Sequence, residues 1–264
     1  MDKISKLFTY GPIDKEIINN YINQQANDKP LSVLDSQKNE SKQIMKNFVL
    51  YLQQPQMHFE LIKQNFNNKQ KSMLDYYINT YQQINDLPIY NSSMPIVSSL
   101  ISFIDNSLNY APVLTTGDGN CFYNAISIIL FGHEGHSSRL RITNAYVLSL
   151  YEQWFTFILI RSGSNITIKQ LVEQTCKDKV WANEYNILAM SIVLKKPICI
   201  YQHHGNSISF ASYDIINNLP ICLIFNNFHF TALLKRISTY NFPVINCNNN
   251  QFLRFISKDV AEDM

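Results

Sequence analysis

Charge of either sign is in short supply: charged residues are 16% of the 264, and 22 Lys and Arg face 20 Asp and Glu. Residues 1–100 carry ten bases against nine acids, and residues 101–264 twelve against eleven, so neither part has the basic stripe of a nucleic-acid binder. Cysteine is equally sparse. The five thiols at 121, 176, 199, 222 and 247 are odd in number and form no CxxC pair. That excludes a secreted disulfide framework and a structural zinc knuckle, and it places the chain in a reducing, cytoplasmic compartment. Long apolar runs are missing too. Phe157–Ile160, with Trp154 and Phe155 just before it, falls far short of the roughly 20 residues that span a bilayer. The start, MDKISKLFTYGPIDKE, mixes acids with bases and never reaches the apolar stretch of a secretory signal.

What is present suffices for a core: 46% of residues are apolar and 12% aromatic, which rules out wholesale disorder. A chain of this length buries about 70 to 75% of its unfolded surface, enough for one large domain or a domain with an extension. Asparagine is over-represented, with thirty copies beside only seven glycines. An AT-rich genome accounts for such a bias, and it suits a virus, an intracellular bacterium or a protist alike; if the source is a pathogen, the host cytosol is the expected location.

Helical spacing dominates residues 1–110. Ile13, Ile17, Ile18, Tyr21 and Ile22 recur on one face, as do Ile44, Met45, Phe48, Val49 and Leu52, and then Met73, Leu74, Tyr77, Ile78 and Tyr81. Ser93 is placed as the N-cap of a further helix through Ile96, Leu100, Ile101 and Ile104. From 113 the pattern changes. Val113 and Leu114 lead into the loop TTGDGN, and CFYNAISIILFG reads as a buried helix closed by Gly132. Helices are predicted at about 138–160, 167–176 and 183–194, followed by β-rich runs at 197–203, 207–213, 220–227 and 228–234. The last two abut as a hairpin. The division expected is 1–105 as a helical extension, 106–240 as the catalytic domain and 241–264 as a C-terminal tail.

Cys121 follows Gly117-Asp118-Gly119-Asn120 and opens an apolar helix. A thiol in a first turn feels the positive end of the helix dipole, which favours the thiolate. The glycines let the loop bend tightly and aim N–H groups at a developing oxyanion. A nucleophile of this kind needs a base, and His229, 108 residues downstream on a predicted strand between Phe228 and Phe230, is the best placed of six histidines. A lone cysteine and histidine would instead be a small buried hydrophobe and a satisfied core residue. His133 and His136, with Glu134 between them, lack a third ligand at useful spacing and read as a surface loop, so no metal is expected. Cys199 and Cys222 read as inert core thiols, and His203 and His204 as the end of a strand.

TTGDGNCFYNAIS resembles the catalytic loop and helix of the ovarian-tumour (OTU) family of deubiquitinating cysteine proteases. Two further segments agree in the family's order: Trp181-Ala182-Asn183-Glu184 with its following helix and strand, and Asn226 to Leu234 around the histidine. Together they cover about 113–235. The resemblance implies an α+β, papain-type cysteine protease fold, with a small, mostly antiparallel sheet between helices. It implies Cys121 as nucleophile, His229 as general base and acid, Asp118 as the loop acid, and an oxyanion hole on backbone N–H groups of the loop, including Gly119 and Asn120. Many members carry Asp or Asn two residues after the histidine; here that position is Thr231. Thr231, Asn226 and Asn227 are therefore all candidates for the orienting third residue, with Asp118 favoured for its charge.

The activity implied is thiol hydrolysis of the isopeptide bond after the C-terminal glycine of ubiquitin or a ubiquitin-like protein. The partners implied are ubiquitin or polyubiquitin chains, with no nucleic acid, no membrane span, no cofactor and a monomeric chain. Two alternatives stand beside it: a viral-type polyprotein-processing protease, and an inactive ubiquitin-binding module that keeps the fold.

Overall fold

A computed structural model describes residues 59–104, 109–202, 207–210 and 220–236. The predicted helices before residue 59, His203, His204, Cys247 and the 241–264 tail lie outside the described residues.

The first element is a continuous helical run: α1 (Phe59–Asn65), a π-helical turn (Phe66–Gln70) and α2 (Lys71–Gln82). The periodic set predicted here turns inward, with Met73, Leu74, Tyr77 and Tyr81 all buried. Ser93 does not cap a helix. The chain turns there, with Met94 N–H donating to the Asn91 carbonyl at 3.1 Å, and then Ile96 bridges Val113 while the Pro95 carbonyl accepts from Leu114 N–H. Only then does a 3-10 turn form at Ser98–Phe103. Pairing with the neighbouring strand outweighs the local helix-start signal.

Strand β1 (Tyr110–Val113) leads into the nucleophile loop and α3 (Cys121–Phe131), which Gly132 ends with a left-handed φ of 77°. The single helix expected at 138–160 is two, α4 (Ser137–Leu150) and α5 (Glu152–Arg161), broken at Tyr151. The bend turns Phe155, Ile158 and Leu159 into the core. Two capping boxes set the next helix starts: Thr167 with Gln170 for α6 (Ile168–Cys176), and Asn183 with Asn186 for α7 (Glu184–Leu194).

Strands β2 (Ile198–Tyr201), β3 (Ser207–Phe210), β4 (Ile221–Asn226) and β5 (His229–Lys235) complete a five-stranded sheet in the order β1-β5-β4-β2-β3. Among these strand pairs, β2/β4 alone is parallel. β4 and β5 form the predicted hairpin with Asn226 opposite His229. Its two turn residues, Asn227 and Phe228, both have left-handed φ, 48° and 62°, as the tight turns that match strand twist require.

One sheet face, carrying Leu223, Phe230, Ala232 and Leu234, packs with helical residues of α2, α3, α4, α6 and α7 into the main core. The opposite face, carrying Cys199, Cys222, Ile224 and Leu233, is covered by Leu100, Phe103 and Ile104. The sheet thus lies between layers, as an α+β fold demands. Phe59, Ile62, Phe66 and the inward side of α2 belong to the same main core as α3 and β5.

Candidate active site

The loop from 114 to 120 is positioned by the strand it leaves. Val113 is in register with Ala232, and the next contact continues the ladder by a side chain: Ala232 N–H donates to Thr115 Oγ at 3.3 Å. The loop therefore runs alongside the start of β5. A Cβ built on Gly117 would stand 3.5 Å from Cε1 and 3.6 Å from Nδ1 of His229, so the imidazole lies against this glycine. Glu134, from the turn after α3, holds the same loop by accepting from Thr116 N–H at 2.7 Å. The surface-loop glutamate between His133 and His136 thereby acquires a structural job. His136 itself stacks on Phe131 with ring centroids 3.9 Å apart.

Cys121 is the first residue of α3 and is buried, 6% exposed. The backbone N–H groups of Phe230 and Phe122 point at its sulfur. Since Phe230 follows His229 directly, the structure brings Cys121, His229 and Gly117 to one spot. The electrostatics differ from the sequence expectation. Burial pushes the Cys121 thiol above its ordinary value, the N–H groups of Phe230, Phe122 and Cys121 itself pull it down, and the Asp118 carboxylate pushes it up again. Desolvation is the largest of these influences, and it works against the thiolate that a helix start favours.

Asp118 is a loop organiser. One carboxylate oxygen accepts from Asn120 N–H at 2.9 Å and from Asn124 Nδ2 at 3.2 Å, and the other accepts from Asn120 Nδ2 at 3.3 Å. Partial burial alone would raise its pKa, but these donors together hold it below the usual carboxylate value. They also engage Asn120 N–H, which removes that group from the expected oxyanion donors and leaves Gly119 and Cys121 N–H as the loop's candidates. Gly119 has φ 88°, and a Cβ there would fall 2.1 Å from the Lys179 carbonyl oxygen. Only glycine lets the loop pass so close to the 177–180 turn.

Of the three residues proposed to orient the histidine, Asn226 sits directly across the hairpin from His229. Side chains of directly opposed residues share a face, with Cβ atoms about 4.5–5.5 Å apart. Thr231 is buried on that face two residues on, opposite Ile224, whereas Asn227 is an exposed turn residue. The two flanking phenylalanines divide their work. Phe230 is buried against Phe122 at 5.3 Å. Phe228 is 71% exposed and stacks on Trp181, itself 61% exposed, at 5.8 Å.

Sequence reasoning missed Arg141 and Asp178. Arg141, on α4, is 3% exposed. Its guanidinium donates to Asn120 Oδ1 (from Nε at 3.0 Å and Nη2 at 2.6 Å) and to the carbonyls of Gly119, Thr175 and Val180, and it lies 4.4 Å over the Tyr123 ring. Asp178 Oδ1 accepts from Asn120 Nδ2 at 2.8 Å. An arginine at the fifth position of a helix carried no local signal that its face would be buried. Among the described residues, Cys176, Cys199 and Cys222 are buried and in no disulfide, and no group of three His, Cys, Asp or Glu residues could hold a metal ion.

A buried thiol at a helix start, an imidazole against the loop that precedes it and a tightly bound glycine turn define a thiol hydrolase site on an α+β scaffold. Residues 116–229 match the OTU-like cysteine protease family, from the nucleophile loop to the histidine. The chain is 27% identical over 130 residues to ubiquitin thioesterase otu2 of Schizosaccharomyces pombe, a match covering 45% of this chain and 43% of that protein. The chain thus spans less than half the length of that relative. Among solved structures, the OTUD1 OTU domain shares 18% identity, with 48% of this chain and 87% of that chain covered, at a TM-score of 0.42. The Hazara virus OTU bound to ubiquitin shares 15% identity, with 58% and 96% covered, at a TM-score of 0.39.

Proposed function

We propose that the protein is a deubiquitinase, a thiol-dependent hydrolase of the isopeptide bond after the C-terminal glycine of ubiquitin or a ubiquitin-like protein. The observation that carries this reading is the convergence of Cys121, the Phe230 N–H and the His229 imidazole against Gly117, inside the segment that matches the OTU-like family. The otu2 relative, named a ubiquitin thioesterase, supports the choice of substrate.

In the reaction His229 takes the proton of the Cys121 thiol, and the sulfur attacks the glycine carbonyl carbon. The carbonyl oxygen gains negative charge, received by loop N–H groups. His229 then gives its proton to the leaving lysine amine as the C–N bond breaks, which leaves a thioester. Water, deprotonated by His229, adds to that thioester; the C–S bond breaks, and the thiol and a free carboxylate result. Asn226, across the hairpin, orients the imidazole. The site works in the reducing cytoplasm, where the thiol stays free.

The test is incubation with ubiquitin bearing a C-terminal electrophile, followed by peptide mapping. An adduct on Cys121, absent in Cys121→Ala, is the expected result. No adduct while iodoacetamide still alkylates Cys121 would leave the nucleophile in place and overturn ubiquitin as the substrate.

A further inference from the structure

We infer that Arg141 is a positioning residue for the oxyanion hole, acting through the peptide that joins Gly119 to Asn120; the inference rests on the thiol-hydrolase reading above. The carbonyl of that peptide, on Gly119, accepts from Arg141 Nη2 at 3.2 Å, and its N–H, on Asn120, donates to Asp118 at 2.9 Å. A cation and an anion therefore grip the two ends of one peptide dipole, each at its complementary end. The Asn120 side chain is held as firmly. Its Oδ1 accepts from Arg141 twice and from Lys179 N–H at 3.2 Å, and its Nδ2 donates to Asp118 and Asp178.

This clamp matters because the remaining loop donors flank it. Gly119 N–H lies one peptide before the gripped unit and Cys121 N–H one peptide after it. Rotation of the central peptide would turn both away, and glycine at 119 offers little intrinsic resistance to such a rotation. Stabilisation of an oxyanion depends on donors held in place before charge develops. Arg141 supplies that hold from outside: its other bonds, to the Thr175 and Val180 carbonyls, anchor it to the end of α6 and to the segment leading to Trp181. Thr175 is tied in turn to the start of α7 through Asn186, whose Nδ2 donates to Thr175 Oγ at 2.7 Å. All the acceptors of Arg141 are uncharged, so lysine, with one compact donor head, cannot reproduce the fork.

The experiment compares two reactions at the same sulfur. Alkylation by iodoacetamide displaces iodide and builds no oxyanion. Addition to ubiquitin aldehyde forms an S–C bond while the carbonyl oxygen becomes an oxyanion and then takes the thiol proton, so it uses the hole. In Arg141→Lys, the inhibition constant of ubiquitin aldehyde should rise about 10- to 100-fold and kcat on a fluorogenic ubiquitin C-terminal amide should fall comparably. KM and the iodoacetamide rate should each change by less than about threefold. Asp178→Ala, in an exposed turn, removes one bond to Asn120 and should show the same split at about three- to tenfold, even if Arg141→Lys fails to fold. Equal losses in both reactions, or an unchanged aldehyde constant in whichever variant is folded, would overturn the assignment. A wild-type protein that is alkylated but ignores ubiquitin aldehyde would refute the substrate instead.

Discussion

Replacement of Gly119 by alanine tests the nucleophile loop most sharply, because the same loop contains its own control. The added methyl would stand 2.1 Å from the Lys179 carbonyl oxygen, 2.6 Å from its carbon and 2.9 Å from its Cα, all backbone atoms. Backbone cannot rotate out of the way as a side-chain tip does, so the loop and the 177–180 turn must separate. A left-handed φ costs an L-residue about 1–2 kcal/mol, and overpacking adds about 1–3 kcal/mol. A loss near 3 kcal/mol lowers Tm by about 6–12 °C in a domain of roughly this size. A shift of about 1 Å in the loop would also cost on the order of 100-fold in kcat. At Gly117 the added methyl meets only the His229 ring, at 3.5 and 3.6 Å, and no left-handed φ is involved. Gly117→Ala should be neutral or gain up to about 1 kcal/mol from the unfolded state. Thermal melts read beside turnover of a fluorogenic ubiquitin amide separate the two variants. A Gly119→Ala protein that melts within about 2 °C of wild type and keeps most of its activity would refute the close packing of loop and turn.

Three other outcomes are expected. Cys121→Ala should abolish turnover while leaving the melt and ubiquitin binding nearly unchanged, since one sulfur is lost from the core but so is the whole covalent route; residual turnover in the variant would count against the nucleophile. Asn226→Ala should lower kcat/KM by about tenfold or more and Thr231→Ala by less than that, about 1.4 kcal/mol marking the boundary; the reverse order in two folded proteins would make Thr231 the orienting residue. Burial raises the Asp75 pKa despite the hydrogen bond from Tyr146 at 2.8 Å. A carboxylate whose folded pKa lies above the unfolded one costs stability once it ionises. Asp75→Asn should therefore stabilise the protein at neutral pH, by under about 1 kcal/mol because solvent still screens a partly buried group, and the gain should vanish below about pH 3.8. Melts across that range check it, and a gain that persists at acid pH would refute the cause.

The nucleophile and its base are legible in the amino-acid sequence because their chemistry is written locally. GDGNC places a thiol after a flexible turn and before an apolar helix, and the abutting strands around His229 predict the hairpin that presents it. The helix starts at Thr167 and Asn183 and the stop at Gly132 are equally local, since a cap is satisfied within four residues. The 3-10 turn at Ser98 and the break at Tyr151 are not local, because pairing with β1 and packing of α5 decide them over propensity. Nor is the state of the Cys121 thiol. The helix start is a property of sequence order, but the burial that raises the thiol and the Phe230 N–H that lowers it exist only in the folded chain, the latter from β5, more than a hundred residues away. Arg141 makes the same point most clearly: its bonds span 21 residues to Asn120, 34 to Thr175 and 39 to Val180. A sequence window sees an arginine on a helix. Only the closed tertiary structure removes water from that side chain, and once water is gone its donors must find protein acceptors, which here are the groups that shape the nucleophile loop.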